Sequence, residues 1–387
     1  MAEERFDCII VGGGLAGLTA AHILAAEGLE TLLVEKGTSS GEKNMTGGRL
    51  YGHSLEQVIS GFAEHGAVER HIVKERLTTH EGTVEYAANE LAAPAGESYA
   101  VLRGVFDSWL SEQAEEQGAM LVYGVRVDDL IVRDGSVCGV IAGDEEMEAN
   151  VVILADGVNS LLAQKLGFHT AIGQDQVAVG AKELIELDEE TINQRFGLAS
   201  GEGVAWMFTG GSEVYEGFLY TNKNSVSVGI AMVVEEIYNT ELSVPQMLEE
   251  FKARPEIAPL LEGGRMIEYS AHLIPEGGSD MIPTLYGDGV LVAGDAAALC
   301  ANLGFTIRGM DLAIESGRLA AQTVLDANAK NDFSSNTLSA YQTALEDSFV
   351  LSCVKGGPAC HHAVKAGSLA GTPAKALNDV MAQAQIG

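Results

Sequence analysis

Asp7-Cys-Ile-Ile-Val-Gly-Gly-Gly-Leu-Ala-Gly17 opens on a short β-branched run and closes on clustered glycines. Leu18 to Glu27 follows, rich in alanine and leucine, and Thr31-Leu-Leu-Val-Glu35 is a second apolar run. The order predicted is strand, glycine turn, helix, strand. Gly12, Gly14 and Gly17, with Ala16 in the same turn, fit G-x-G-x-x-G. The first glycine permits the sharp turn, the second lets the backbone approach a pyrophosphate, and the third lets helix pack on strand. The phosphate charge falls to the helix N-terminus. Glu35 lies 23 residues beyond Gly12, where a carboxylate accepts from both ribose hydroxyls and repels a 2′-phosphate. Lys36 beside it joins the candidate site. The motif by itself does not separate NAD from FAD.

Working outward, the chain has 387 residues, long enough for two interlocked lobes and a large core. Acidic residues outnumber basic ones 55 to 23, a formal charge of −32. Such a field repels phosphate backbones, which excludes a nucleic-acid function. With 47% apolar residues, 20% charged and 46 glycines, the composition is that of a folded, turn-rich protein. Five cysteines (Cys8, Cys138, Cys300, Cys353, Cys360) are too sparse for a disulfide scaffold and point to a reducing, cytoplasmic setting. Cys8 to Ala26 is nearly uncharged, yet the acidic start Met1-Ala-Glu-Glu-Arg5, the crowded glycines and His22 oppose a membrane span or signal peptide.

Two later segments decide the cofactor question. Val151-Val-Ile-Leu-Ala-Asp-Gly157 is a buried-type strand ending in Asp156-Gly157, with a helical stretch from Leu161 to Leu166. Gly289-Val-Leu-Val-Ala-Gly-Asp295 is another, ending in Gly294-Asp295, and a long amphipathic helix is expected from Ile307 to Leu325. Together with the N-terminal turn, this pattern resembles the glutathione-reductase-type FAD proteins of the hydroxylase branch. Further strings stand at Lys43-Asn-Met-Thr-Gly-Gly-Arg-Leu-Tyr51, Val101-Leu-Arg-Gly-Val-Phe-Asp107, Ile153-Leu-Ala-Asp-Gly-Val-Asn-Ser160, Tyr269-Ser-Ala-His272 and Asn302-Leu-Gly-Phe-Thr-Ile-Arg-Gly-Met-Asp311. On these the chain more narrowly resembles the FixC family, relatives of electron-transfer-flavoprotein:quinone oxidoreductase within the wider geranylgeranyl-reductase-related superfamily.

The resemblance implies an α/β fold, a Rossmann-type FAD-binding domain with an inserted antiparallel-sheet substrate domain. Its expected parts are 1–76, 100–168 and 286–345 for the FAD domain, 77–99 and 169–285 for the substrate domain, and a divergent tail at 346–387. It further implies that Asp295 bonds the flavin ribityl chain, that Arg49 and Arg103 lie near the FAD phosphates, and that Val127, in a strand Tyr123 to Val127, meets the adenine through its backbone. Gly48, Gly304 and Thr306 complete the cofactor set. Reduced flavin carries negative charge around N1 and C2=O, so a helix beginning near Gly309 and aimed at the ring would favour reduction.

Between Gly173 and Leu285 the pattern turns to alternating strands, at Val177 to Glu186, Glu216 to Thr221, Ser225 to Val234 and Met266 to Ile274. Trp206, Met207 and Phe208 form an apolar cluster better read as core than as a quinone contact, and His272 is better read as a core histidine than as a donor to quinone. Ser243 to Arg254 reads as one amphipathic helix whose Glu249 and Glu250 favour a solvated outer face. In the tail, Cys353, Cys360, His361 and His362 match no standard zinc spacing. Two cysteines there cannot hold a four-cysteine iron–sulfur cluster. From Ala363 onward a loose helix or frayed end is expected.

The resemblance implies an FAD-dependent oxidoreductase that passes electrons from an electron-transfer flavoprotein to a quinone or a ferredoxin-like iron–sulfur subunit. Peripheral contact with a membrane is left open. A flavoprotein reducing prenyl-lipid double bonds is the alternative, a hydroxylase comes third, and a flavin-bearing structural subunit is the non-enzymatic reading. No Ser/His/Asp or Cys/His nucleophile set is evident, and flavin chemistry needs none.

Overall fold

The computed structural model describes residues 5–42, 44, 47–80, 82–88, 97–209 and 214–365. The acidic start at 1–4, parts of the Lys43–Tyr51 string and the tail at 366–387 lie outside the described residues.

The β-branched opening forms β1 (Arg5–Val11), fully buried over its last four residues. Helix α1 (Leu15–Ala26) follows, starting three residues earlier than the composition suggests. Gly17 therefore lies inside the helix, where an added Cβ would run into the Gly12 carbonyl. Strand β2 (Thr31–Glu35) is buried throughout and matches its expected bounds. Both β2 and β10 (Glu145–Leu154) pair in parallel with β1. Strands β7 (Met120–Tyr123) and β17 (Val290–Val292) extend this parallel sheet on its two sides, and the short β16 (Tyr286–Gly287) is antiparallel to β17. A hairpin, β8 (Asp129–Arg133) and β9 (Ser136–Ala142), joins at β10.

Strands buried on both faces are what an all-apolar run such as Val151–Leu154 requires, and parallel pairing needs helices as cover. The cover comes from α1, α2 (Arg103–Glu116) and α5 (Met310–Lys330). Helix α5 begins later than expected because Ile307 and Arg308 pair with Asn302 and Ala301 in a two-residue ladder, and Gly309 then serves as N-cap.

A second sheet of nine strands runs β15 (Arg265–Pro275), β11 (Val177–Glu186), β14 (Ser225–Val233), β13 (Glu216–Thr221), β12 (Glu202–Phe208), β4 (Val68–Thr79), β6 (Ser98–Val101) and β3 (Gly48–Tyr51), with β5 (Gly82–Ala87) paired to β4. All its pairs are antiparallel except β12 with β4. The expected boundary at residue 76 thus falls inside β4, and residues 48–51, 68–76 and 100–101 belong to this sheet although they were expected in the FAD domain. Strands β3 and β4 are recruited across the chain by backbone pairing that no local pattern encodes.

Alternation divides the sheet's two faces. Met207, Phe218 and Tyr220 join the core shared with the parallel sheet. Trp206, Phe208 and Leu219 face a second core, closed by α3 (Glu189–Phe196) and α4 (Val244–Lys252). Helix α4 carries a Ser243/Gln246 capping box and buries Met247, Leu248 and Phe251 in that core, so its apolar face is spent inside the molecule. The expected tail is partly structured: α6 (Ala340–Asp347) and α7 (Phe349–Lys365) pack back on the protein, with Cys353 and Cys360 buried.

Candidate cofactor site

The five parallel strands bring their C-terminal ends to one edge, where α/β folds bind ligands. From that edge a cavity of about 460 Å³ extends to the inner face of the second sheet. Gly12, Gly14, Ala16, Glu35, Lys36, Gly48, Arg49, Arg103, Val127, Asp156, Gly157, Gly294 and Asp295 all line it.

At the turn, Gly12 holds a φ of +109°, and a Cβ there would run into the Ala155 carbonyl. Gly14 faces open space, with no atom within 4 Å of where a Cβ would sit. Helix α1 has no side-chain cap and no acidic residue in its first turn. Its first N–H groups are therefore orphaned toward the cavity, an arrangement that accepts phosphate oxygens. Glu35 is 9% exposed and accepts from Gly13 N at 2.7 Å and Gly37 N at 2.6 Å. Each carboxylate oxygen keeps a further lone pair for a hydroxyl. Asp156 Oδ1 is buried without a partner, and burial holds this carboxyl above its ordinary value. An orphaned acceptor, an open glycine and an uncapped helix end are what a dinucleotide would satisfy, so the residues fit FAD.

Four of the expected site residues sit in surroundings the sequence does not announce. Arg49 is buried, and its Nη2 and Nε are engaged by Glu75 (2.5 Å) and Ser98 (2.9 Å). Its guanidinium also lies 4.4 Å from the Tyr51 ring centroid. A buried cation needs a buried anion, and Glu75 on β4 supplies it, tying Arg49 into the second sheet at the cavity wall. Gly304 is absent from the cavity wall: it is pressed against α7, and a Cβ there would stand 2.7 Å from Val364 Cβ. Thr306 likewise points elsewhere, accepting from the Tyr51 hydroxyl at 3.1 Å. Val127 does line the cavity but follows the strand, which ends at Tyr123; backbone bonds from Gly124 to Gly37 and from Val125 to Glu35 hold the segment there.

Arg103 opens α2 and chelates Asp107 through Nε and Nη2, at 2.7 and 2.8 Å. Asp295 follows β17 with no side-chain hydrogen bond among the described residues. Burial pushes its carboxyl up, offset in part by His272 and Arg103. His272, on β15, lines the cavity opposite Asp295, and burial lowers its imidazole. It is thus a wall residue and not the core histidine expected. Trp206 and Phe208 are core, as expected. At the far end Gly309, Met310 and Ala313 bring the N-terminus of α5 to the cavity.

Sequence reasoning missed Lys182, fully buried on β11 and hydrogen-bonded to the Gly47 carbonyl. Burial pushes its amine down to about 7, with Glu268 opposing and Arg103 reinforcing. Lys182 does not itself line the cavity; the walls that sequence reasoning missed include Phe218 and Tyr220, for which the apolar alternation of β13 was the available signal.

A parallel sheet with a glycine turn, a buried acid at the end of β2 and a helix N-terminus at the cavity's far end, roofed by a second sheet, is the arrangement of an FAD-dependent oxidoreductase. A family model described as glucose inhibited division protein A matches residues 7–211, and one described as ETF-QO, ubiquinone-binding, matches residues 177–274. Protein FixC of Escherichia coli O157:H7 is 53% identical over 353 residues, covering 89% of this chain and 82% of that protein. The probable electron transfer flavoprotein-quinone oxidoreductase YdiS of Escherichia coli K12 is 49% identical, covering 91% and 83%. A geranylgeranyl bacteriochlorophyll reductase-like structure from Thermoplasma acidophilum shares the fold, with a TM-score of 0.78, 21% identity and coverage of 98% and 91%. The chain belongs to the FixC family.

Proposed function

We propose that this flavoprotein accepts electrons from an electron-transfer flavoprotein and delivers them to a quinone, with a ferredoxin-like iron–sulfur subunit as a further partner. The observation that carries the reading is the second sheet. Residues 177–274, similar to a ubiquinone-binding module, supply Phe218, Tyr220, His272 and Ile274 as one wall of the cavity. Apolar rings beside a polar imidazole suit a flat, apolar acceptor with carbonyl ends.

Bound FAD supplies the two-electron carrier. In this reading the α1 N-terminus and Arg103 hold the phosphates, Glu35 the ribose, the backbone near Val127 the adenine, and Asp295 the ribityl chain. The N-terminus of α5 faces the ring and stabilises negative charge there. No helix among the described residues is long and apolar enough to cross a membrane, so a lipid-soluble quinone would be met at the membrane surface.

Anaerobic titration of the holoenzyme tests this. Reduced electron-transfer flavoprotein should bleach the flavin absorbance, and a short-chain ubiquinone should restore it. Bleaching by neither that donor nor any ferredoxin-like partner, with turnover of a prenyl-lipid double bond instead, overturns the reading.

A further inference from the structure

A second cavity, of about 310 Å³, lies under α7. Its walls include Glu276, Asn302, Pro358, His361 and Lys365. Cys300 belongs to this wall and to that of the cofactor cavity, so the two spaces share one partition. Quinone reduction consumes two protons for its two electrons, and no side chain assigned so far supplies them.

The partition is flanked by a connected acid–base cluster drawn from four parts of the chain. His361 Nε2 meets Glu216 Oε1 at 2.6 Å. Glu216 also accepts from the Thr209 hydroxyl at 2.7 Å. The Asn302 amide bridges Glu216 Oε2 and Glu276 Oε1, both at 3.1 Å, and its own oxygen accepts from Gly304 N at 2.9 Å. The other oxygen of Glu276 makes no hydrogen bond among the described residues. Lys365 and the exposed His362 stand at the solvent side.

We propose that Glu276 and His361 are the proton source for the acceptor reduced beside Cys300. This rests on the proposed quinone-reducing function and names the groups that complete it. Two electrons come from the bound reduced flavin, whose own proton is released to solvent as it is reoxidised; one proton for the quinone leaves the Glu276 carboxyl and one leaves the His361 imidazolium. The quinone becomes quinol, and solvent reprotonates the pair past His362 and Lys365. The protonation states agree with the geometry. Burial, chiefly, pushes the Glu276 carboxyl up to about 7, with Glu216 adding to it and Asn302, His361 and Lys365 opposing. Burial alone would lower His361, but the bond to Glu216 and the charges of Glu216 and Glu276 hold it above its ordinary value despite Lys365. Burial raises Glu216, and its bonds from His361, Thr209 and Asn302 outweigh that, so it stays an anion. An acid poised near the working pH is the efficient kind.

The test mixes reduced holoenzyme with a short-chain ubiquinone, which takes protons, or with ferricenium, which takes only electrons. In the wild type the quinone rate should fall above neutral pH while the ferricenium rate stays flat. In Glu276→Gln the quinone-to-ferricenium ratio should drop about tenfold or more, and Glu276→Asp should restore part of both ratio and pH profile. An unchanged ratio in Glu276→Gln and His361→Gln, with an active wild type, overturns the inference alone. A wild type that reduces ferricenium but no quinone overturns the underlying function as well. Should the variants not fold, infrared titration of the wild type decides: a protonated carboxyl band must disappear through neutral pH, and its absence sinks the proposal.

Discussion

The Asp295 side chain has no hydrogen-bonding partner among the described residues, and its burial is opposed only by nearby positive charge. A carboxylate left in that state is stabilised by ligand hydroxyls, so Asp295→Ala should lose much of its FAD; a purified variant with a full flavin-to-protein ratio would remove Asp295 from the site. Glu35 keeps its two backbone donors without ligand, so Glu35→Ala should weaken adenosine binding by about 1.5–3 kcal/mol, the worth of a charged hydrogen bond. Equilibrium dialysis of FAD against the apoprotein reads it. Lys182 gives a pH signature. Its amine is lowered from 10.5 to about 7 by burial, so between those values the native state binds fewer protons than the unfolded chain. This residue's contribution to stability therefore rises as pH rises through that window. The Tm difference between wild type and Lys182→Met should shift in favour of the wild type from about pH 7 to about pH 10. Parallel curves would mean that Lys182 is not held down in the fold.

At the scale of elements, α1 and α5 approach at Ala16 and Gly317, where a Cβ on Gly317 would run into the Ala16 carbonyl. Backbone cannot yield as a flexible side chain can. Gly317→Ala should therefore cost about 1–3 kcal/mol by overpacking and shift the turn that carries Ala16, lowering flavin retention with Tm. Gly104→Ala, on α2 with nothing within 4 Å, is the contrast: helix propensity predicts neutrality or a gain of up to about 1 kcal/mol. The same contrast explains what was legible in the sequence. The glycine turn, β2, β11 and β13 are written in local period and punctuation, and their bounds could be read directly. Strand β4 is not, because its place beside β12 is set by partners over a hundred residues away. The pairing of Arg49 with Glu75 is known only once β3 and β4 share a sheet. His361 and Glu216 are 145 residues apart, and no spacing rule reports their contact. Charge meets charge here through packing, which a linear pattern does not carry.

For the whole molecule, the cations are spent unevenly. Arg49, Arg103, Arg308 and Lys252 are committed to Glu75, Asp107, Asp311 and Glu183 in buried or half-buried pairs. With 55 acidic against 23 basic residues, each such pair removes one charge of either sign and leaves the excess of −32 undiminished for the rest of the molecule. Self-repulsion of such a surface destabilises the compact state, and salt screens it over about 10 Å at 0.1 M. Thermal unfolding should therefore move to higher temperature as sodium chloride rises to about 0.5 M, most steeply at the low end where screening changes fastest. The same field bears on how a lipid-soluble acceptor is met. Among the described residues, α4 has its apolar face covered, so nothing in that helix offsets repulsion from anionic headgroups. In flotation at low salt the holoenzyme should stay apart from vesicles rich in phosphatidylglycerol. Binding that weakens with salt would require a basic patch the charge balance does not provide, whereas binding that strengthens with salt would locate an apolar contact surface masked by repulsion.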